Sequence, residues 1–157
     1  MRTGRRVAFD IGKTRIGVAV SDPQGILASP RDYVLRDPEL KATVALMLEA
    51  IKDEDFLECY IGLPTNLQNE RTPSTEDALA VAWAFQAECE QEVRLIDERM
   101  TTRLASSAMS GIGKSTKQQR GSIDSASAAV ILESALQYEK VNGALPGVAL
   151  GDYEDGN

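Results

Sequence analysis

Residues 7–22 read VAFDIGKTRIGVAVSD and are the strongest indication of the fold. Two short apolar runs, 5–12 and 15–22, are separated by only two residues, which predicts a β-hairpin. A third short strand over about 32–35 would complete a meander. Within the first strand stands Asp10, whose carboxylate is costly to bury unless a partner compensates its charge. The stretch therefore predicts an antiparallel start to a sheet that carries one acidic residue among apolar neighbours.

The chain after the hairpin alternates helices with strands, which predicts a mixed sheet with helices packed on it. The apolar periodicities predict these elements in chain order: a helix over 37–55, a strand over 57–62, a helix over about 75–91, a strand over 93–97, and helices over about 101–109 and 122–140. Asp37 precedes Pro38, the favoured order of cap and first-turn residue at a helix N-terminus. The strand, helix and strand over 57–97 predict a parallel βαβ unit. Propensity alone does not determine the strand order.

Two segments carry no apolar period. SGIGKSTKQQRGS (110–122) is predicted to be a polar, mobile loop. Its GIGKS resembles the end of a phosphate-binding P-loop, but residue 108 is alanine where that motif requires glycine, so we exclude nucleotide binding there. Residues 142–157 are rich in glycine and acid and are expected to form a partly disordered tail after a single domain over 1–141.

Composition narrows the chemistry. The chain has 157 residues, enough for one domain with a real core, and it contains no histidine. The absence of histidine excludes a Ser-His-Asp triad and an imidazole base, so any hydrolysis would depend on carboxylates, lysine or metal ions. The two cysteines, Cys59 and Cys89, lie 30 residues apart in no metal-binding motif and are expected to be apolar fillers. With no membrane-length apolar run and no apolar core of a secretory signal, a cytoplasmic location without membrane contact is expected.

The charge is unevenly distributed along the chain. The formal net charge is −7, yet residues 1–20 carry five basic residues against one acid, and residues 94–120 carry six against two. Residues 37–92 hold thirteen acids and three basic residues. Such a chain can be acidic overall and still present a basic face to a nucleic acid, although unrelated solvated charges would give the same counts.

Two further carboxylates join Asp10 as candidates. Glu98 follows the strand 93–97, and the ends of parallel strands meet at the edge where α/β sheets bind ligands. Because Asp97 and Glu98 are adjacent, only one of them is expected to face the site. Asp124 lies in the first turn of the last predicted helix and continues its apolar face. Each has a purely structural alternative: Asp10 could face water or pair with a nearby arginine, Asp97 or Glu98 could cap a helix, and Asp124 could stabilise a helix dipole.

Three such carboxylates suit oxygen-ligand binding of Mg²⁺ or Mn²⁺. Two ions held together can support phosphodiester hydrolysis without any histidine. In that case Lys114, Lys117 and Arg120 of the polar loop would contact the phosphate backbone.

Four motifs carry a family resemblance in order and spacing. They are VAFDIGKTRIGVAVSD (7–22), YIGLPTN (60–66), DERMTT (97–102) and SIDSASAAVIL (122–132). Together they resemble the YqgF family of bacterial RNase H-like proteins, described as pre-16S rRNA nucleases or Holliday junction resolvase-like proteins. The resemblance reaches to about residue 140.

The resemblance implies an α/β, RNase H-like fold with a five-stranded mixed sheet flanked by helices. It implies metal-binding, catalytic acids at Asp10, Glu98 and Asp124, and it places Arg15, Asn66 and Arg99 near the site. The implied role is trimming of the 5′ end of precursor 16S rRNA, with ribosomal precursor particles as partners, and the alternative is cleavage of branched DNA. The segment after GLP, which reads TNLQNERTPS, departs from the glycine and small polar residue usual in that family.

Two other classes of function compete. A phosphotransferase of the actin and sugar-kinase type shares a similar opening motif but needs two duplicated domains around a nucleotide. A non-catalytic RNA- or protein-binding module with this fold has little reason to bear the desolvation cost of three acids. Tight ATP binding would favour the first, and an Asp10→Asn variant with unchanged cellular function would favour the second.

Overall fold

The predicted hairpin lies at the centre of a six-stranded sheet. The computed structural model describes residues 1–65, 68, 70–98 and 116–153, of which 116–124 by their backbone alone. Its strands are β1 (Arg5–Ile11), β2 (Arg15–Ser21), β3 (Ala28–Leu35), β4 (Phe56–Leu63), β5 (Glu92–Asp97) and β6 (Val148–Ala149). Their order across the sheet is β3-β2-β1-β4-β5-β6.

The pairings make the sheet mixed. β1–β2 and β2–β3 are antiparallel, as the meander predicted, and β1–β4 and β4–β5 are parallel, as the βαβ unit predicted. In the hairpin Asp10 lies opposite Gly17. The third strand is longer than predicted and contains Pro30. β3 is an edge strand, where proline is tolerated because a backbone N–H that would point to solvent can be absent without loss of a ladder hydrogen bond.

Two helices cover one face of the sheet: α1 (Leu40–Ala50) and α2 (Pro73–Gln86). The prediction that Asp37 caps α1 is wrong, because the helix begins three residues later with Glu39 at its N-cap. Asp37 instead holds the preceding turn, with its Oδ1 accepting from the Glu39 N–H and its backbone bonded to Thr43 Oγ1. At α2, Thr72 and Thr75 form a reciprocal capping box that fixes the start of the helix.

A single long helix, α3 (Thr116–Asn142), covers the opposite face. It starts earlier than predicted, so the interpretation of 110–122 as a loop is wrong for residues 116–122. The sequence there is rich in lysine, glutamine and arginine, which propagate a helix well without an apolar stripe. The helix predicted over 101–109 and the first part of the predicted loop lie outside the described residues.

Strand alternation separates two cores. Val7 and Phe9 of β1 pack toward α1 and α2, whereas Ala8 packs toward α3 with Ile131 and Leu132. Because successive side chains of a strand point to opposite faces, Arg6 and Asp10 share the α3 face with Ala8. The position of Asp10 on this face follows from the parity of the first strand.

The sixth strand was not predicted, since a two-residue strand has no readable periodicity. Val148 and Ala149 pair antiparallel with Leu95 and Arg94 of β5, and Leu150 beyond them is buried. Residues that the sequence assigned to a tail therefore extend the sheet from five strands to six. The division of the chain at residue 141 stays a prediction.

Among the described residues, no helix is both long enough and apolar enough to span a membrane.

Candidate active site at the carboxyl edge of the sheet

Asp10 lies one residue before the end of β1, on the face that α3 covers. Asp10 is only partly exposed, and the preceding residues Ala8 and Phe9 are fully buried. The rigid core that holds these two side chains thereby fixes where the Asp10 carboxylate points.

Glu98 follows the last residue of β5 and forms a side-chain hydrogen bond with Asp10. Burial, this hydrogen bond and the charges of Asp10 and Asp97 raise the pKa of Glu98 to about 8. Two carboxyl groups in such contact need a proton or a positive charge between them. The sequence allowed either Asp97 or Glu98 to join Asp10, and the structure brings Glu98.

The two carboxyls meet across an intervening strand. β1 and β5 both pair with β4 and do not pair with each other, so a side chain of β4 would stand between them. That position is Gly62, where an added Cβ would lie 2.6 Å from Glu98 Oε1 and 2.5 Å from Ile131 Cδ1. Glycine therefore leaves the space through which Glu98 reaches Asp10. Sequence analysis missed this role, although the glycine that closes a buried strand was its signal.

The carboxyl pair is chemically suited to a divalent cation. Two adjacent carboxylates in a half-buried place require either a shared proton or a positive charge between them. Hard cations such as Mg²⁺ and Mn²⁺ favour such oxygen ligands. The described residues contain no cluster of three or more acids or cysteines arranged for a metal ion.

The third predicted acid, Asp124, lies in α3 where only the backbone is described. The next residue, Ser125, is buried, and its Oγ accepts a hydrogen bond of 3.1 Å from the Val18 N–H. Val18 pairs with Phe9, one step from the Asp10–Gly17 pair. The helix therefore passes the hairpin beside Asp10 at this point, and the role of the Asp124 carboxylate stays a prediction.

The predicted substrate-binding residues are less fully described. The Arg15 guanidinium lies over the Tyr33 ring, 5.0 Å from its centroid. The backbone places Lys117 and Arg120 in the first turns of α3 rather than in a loop. Asn66, Arg99 and Lys114 lie outside the described residues.

A second polar cluster lies at the other end of the same face and was not predicted. Arg6 is fully buried, and its Nη2 lies 3.1 Å from Glu139 Oε2 at the end of α3. Arg2 bridges Glu139 at 2.7 Å and Glu58 at 2.9 Å, and Tyr60 donates to Glu58 at 3.0 Å. The signal for this network was a glutamate inside the apolar strand LECYIG.

The network holds its charges by mutual compensation. Burial raises the pKa of Glu139, but hydrogen bonds and charges from Arg2 and Arg6 outweigh it and the pKa is lowered overall. Hydrogen bonds to Glu139 and Glu58 likewise raise the pKa of Arg2. These residues fasten the C-terminal half of α3 to the sheet, far along the helix from Ser125.

Comparison with known proteins places the chain among nucleases. A curated relative from Clavibacter michiganensis subsp. michiganensis, named "Putative pre-16S rRNA nuclease", is 41% identical over 147 residues, which cover 94% of this chain and 91% of the relative. A relative of the same name from Streptomyces avermitilis is 38% identical over 148 residues, covering 94% of each chain. Both relatives match this chain over nearly their whole length.

A solved structure shares the fold. The structure of T. thermophilus RuvC in complex with Holliday junction substrate superposes with a TM-score of 0.63 at 18% identity, covering 90% of this chain and 98% of that one. This likeness confirms the predicted RNase H-like fold, with the strand count corrected to six.

The family comparison covers the site as well as the core. Residues 4–138, which include Asp10, Gly62, Glu98 and the predicted position 124, match the family described as RuvX, Holliday junction resolvase. The resemblance to the YqgF family is thereby confirmed. The chain belongs to the RuvX family.

Proposed function

We propose that this protein is a divalent-metal-dependent nuclease that hydrolyses phosphodiester bonds in the 5′-end processing of precursor 16S rRNA. The observation that carries the proposal is the hydrogen-bonded pair of Asp10 and Glu98 at the carboxyl edge of the sheet. The family match supports nuclease activity, and the name shared by the curated relatives supports RNA as the substrate.

The residues present fit a metal ion. Asp10 and Glu98 bring two carboxyls into contact in a place where burial raises the pKa of Glu98, so a cation would take the place of the shared proton. Asp124 is proposed as the third ligand, because α3 passes the hairpin beside Asp10. When bound, one or two Mg²⁺ or Mn²⁺ ions would supply water activation and charge stabilisation at the phosphate.

The chain's own residues would then bind and orient the substrate. Asp10, Glu98 and Asp124 hold the site rigidly, since two of them stand at strand ends and one stands on a packed helix. Lys117 and Arg120 lie in the first turns of that helix and Arg15 lies at the start of β2, and all three are proposed to bind substrate phosphates. Asn66, Arg99 and Lys114 are proposed to bind neighbouring phosphates.

Branched DNA is the second candidate substrate. The family description names a Holliday junction resolvase, and the fold neighbour was solved with a junction. RNA is preferred because the curated relatives that match over nearly their whole length carry the rRNA name. The proposed location is the cytoplasm, and ribosomal precursor particles are the proposed partners.

The deciding experiment presents both substrates side by side. A labelled precursor 16S rRNA 5′ fragment and a four-way DNA junction are each incubated with the protein in Mg²⁺, in Mn²⁺ and in chelator. Metal-dependent cutting of the RNA supports the proposal. Cutting of the junction alone would move the assignment to recombination, and cutting in chelator would refute the metal-dependent mechanism.

A further inference from the structure

A cleft of about 440 Å³ lies between α3 and the end of β5, and it is near the carboxyl site because its lining residue Ile96 pairs with Gly62. Ile96 and Ala135, both buried, form its floor, and Tyr138 and Val148 stand at its sides. Asp97, the chain neighbour of Glu98, lines its near end. We call it the α3–β6 cleft, and its volume lies within the range of roughly 300–1,000 Å³ that is usual for ligand sites.

The far wall of the cleft is held in place. Arg94 Nε donates to the Pro146 carbonyl at 2.6 Å, and its Nη2 donates to the Gly147 carbonyl at 3.0 Å. Gly147 has a φ of +66°, and a Cβ there would lie 2.1 Å from the Leu95 carbonyl oxygen. The wall is therefore pressed against β5 in a conformation that glycine adopts easily, and the cleft exists before any ligand enters.

The lining favours a neutral, planar group. Tyr138 is 48% exposed and Val148 is 46% exposed, so an aromatic and an aliphatic side chain face an open space. The described lining contains no lysine or arginine, so it offers no cationic side chain to a phosphate. Gln137 and Ser134 can provide polar contacts to a ligand. The buried Oγ of Ser134 has no hydrogen-bond partner in the described structure, and rotation about the Cα–Cβ bond would turn it toward a ligand.

We propose that the α3–β6 cleft receives an unpaired nucleobase of the strand whose phosphate lies at Asp10 and Glu98. The inference rests on the proposed function, because the nearness of the cleft to the carboxyl site selects a base over an apolar side chain: Ile96 of the cleft pairs with Gly62, over which Glu98 lies. A base inside a duplex cannot enter such a cleft, so the substrate presents an unstacked nucleotide next to the cleaved bond. Tyr138 provides the stacking surface.

Fluorescence of a base analogue tests the contact directly. 2-Aminopurine, which loses fluorescence on stacking, is placed in turn at each nucleotide around the cleavage site of the precursor 16S rRNA fragment. The RNA is bound to the Asp10→Asn variant in Mg²⁺, so that binding is read without cutting. We expect quenching at one position, its loss in a variant that also carries Tyr138→Ala, and its retention with Tyr138→Phe.

Abasic substitution gives the energetic counterpart. Removing the base at that one position is expected to weaken binding roughly tenfold when Tyr138 is present and to change it little in Tyr138→Ala. Trp83 on α2 is the matched control, since it is an aromatic residue exposed to 51% on the other face of the sheet. Trp83→Ala should keep both the quenching and the abasic penalty.

Failure of the cleft and failure of the proposed function are distinguishable. Quenching at no position, or an abasic penalty that persists in Tyr138→Ala, would overturn the cleft as a base site whether or not the wild type cuts RNA. Absence of cutting by the wild type would refute the nuclease assignment while the binding scan is still read on its own.

Discussion

Asp10 of β1 and Glu98, the residue that follows β5, share a side-chain hydrogen bond although β4 lies between β1 and β5. The bond closes over Gly62, the one place in β4 where a side chain would stand between them. This arrangement gives the site a built-in like-charge pair, which needs a proton or a cation to be stable.

Substitution of Gly62 should separate the two carboxyls. In Gly62→Ala the new Cβ would lie 2.6 Å from Glu98 Oε1, so the Glu98 side chain must move away from Asp10. We expect cleavage activity to fall at least about tenfold and stability to fall by about 1–3 kcal/mol from overpacking against Ile131. Gly151→Ala, where an added Cβ meets nothing within 4 Å, is the control. Equal activity in the two variants would contradict the spacing role.

The carboxyl pair should make metal-free stability depend on pH. The pKa of Glu98 is about 8 in the folded protein against an ordinary value of 4.5, so the folded state binds the extra proton between these values. Stability from this group is therefore complete below about pH 4.5 and is lost as the pH rises through about 8. Urea unfolding in chelator should show Glu98→Gln to be the more stable protein at pH 9, by an amount on the order of 2 kcal/mol after allowance for solvent screening.

Two controls sharpen that measurement. The difference between wild type and Glu98→Gln should shrink as the pH falls below about 4.5, because Glu98 then becomes protonated in both the folded and the unfolded state. Added Mg²⁺ should stabilise the wild type at pH 9 more than the variant, since a cation binds the folded state alone. A difference that is constant with pH would show that Glu98 does not share a proton with Asp10.

Removal of the Glu139 carboxylate should lower the free energy of unfolding and leave the carboxyl site of Asp10 and Glu98 unchanged. Arg6 is fully buried and would lose its carboxylate partner, which typically costs about 3–5 kcal/mol. Glu49 forms an exposed pair with Lys52, and Glu49→Ala should cost less than about 1 kcal/mol. Urea unfolding of both variants at neutral pH tests this contrast, and comparable losses in the two would contradict it.

Acid should act on the same network. The pKa of Glu139 is lowered in the folded state, so its contribution is present at neutral pH and is lost as the pH falls through that lowered value. Wild-type stability should therefore decline in acid, and Glu139→Gln should flatten this decline. An unchanged acid limb in the variant would show that the decline has another origin.

Local sequence chemistry predicted most of the fold. The two-residue gap between apolar runs predicted the β1–β2 hairpin, and strand alternation then placed Asp10 on the α3 face with Ala8. Where competing local signals existed, the prediction was less accurate. Asp37 before Pro38 has the chemistry of a helix cap, but Asp37 bonds instead to Thr43 and Glu39.

The rest depended on tertiary contacts. The sequence does not reveal that the Glu98 side chain lies over Gly62, because this contact depends on the position of β4 between β1 and β5 in the sheet. β6 is too short to show periodicity and exists through its pairing with Arg94 and Leu95. The family resemblance favoured Glu98 over Asp97 as the site residue. The local sequence could not distinguish them, because two adjacent acids at a strand end have the same chemistry and differ only in the tertiary contacts that they make.

The central claim is that Asp10 and Glu98 hold a metal ion for phosphodiester cleavage, and one comparison tests it most directly. The rate of cutting of the labelled precursor 16S rRNA 5′ fragment in Mg²⁺ is measured for wild type, Asp10→Asn and Asp37→Asn, with folding checked by thermal unfolding. We predict a loss of at least about 100-fold in Asp10→Asn alone, with its fold intact. Metal-dependent cutting by well-folded Asp10→Asn at the wild-type rate would contradict the account.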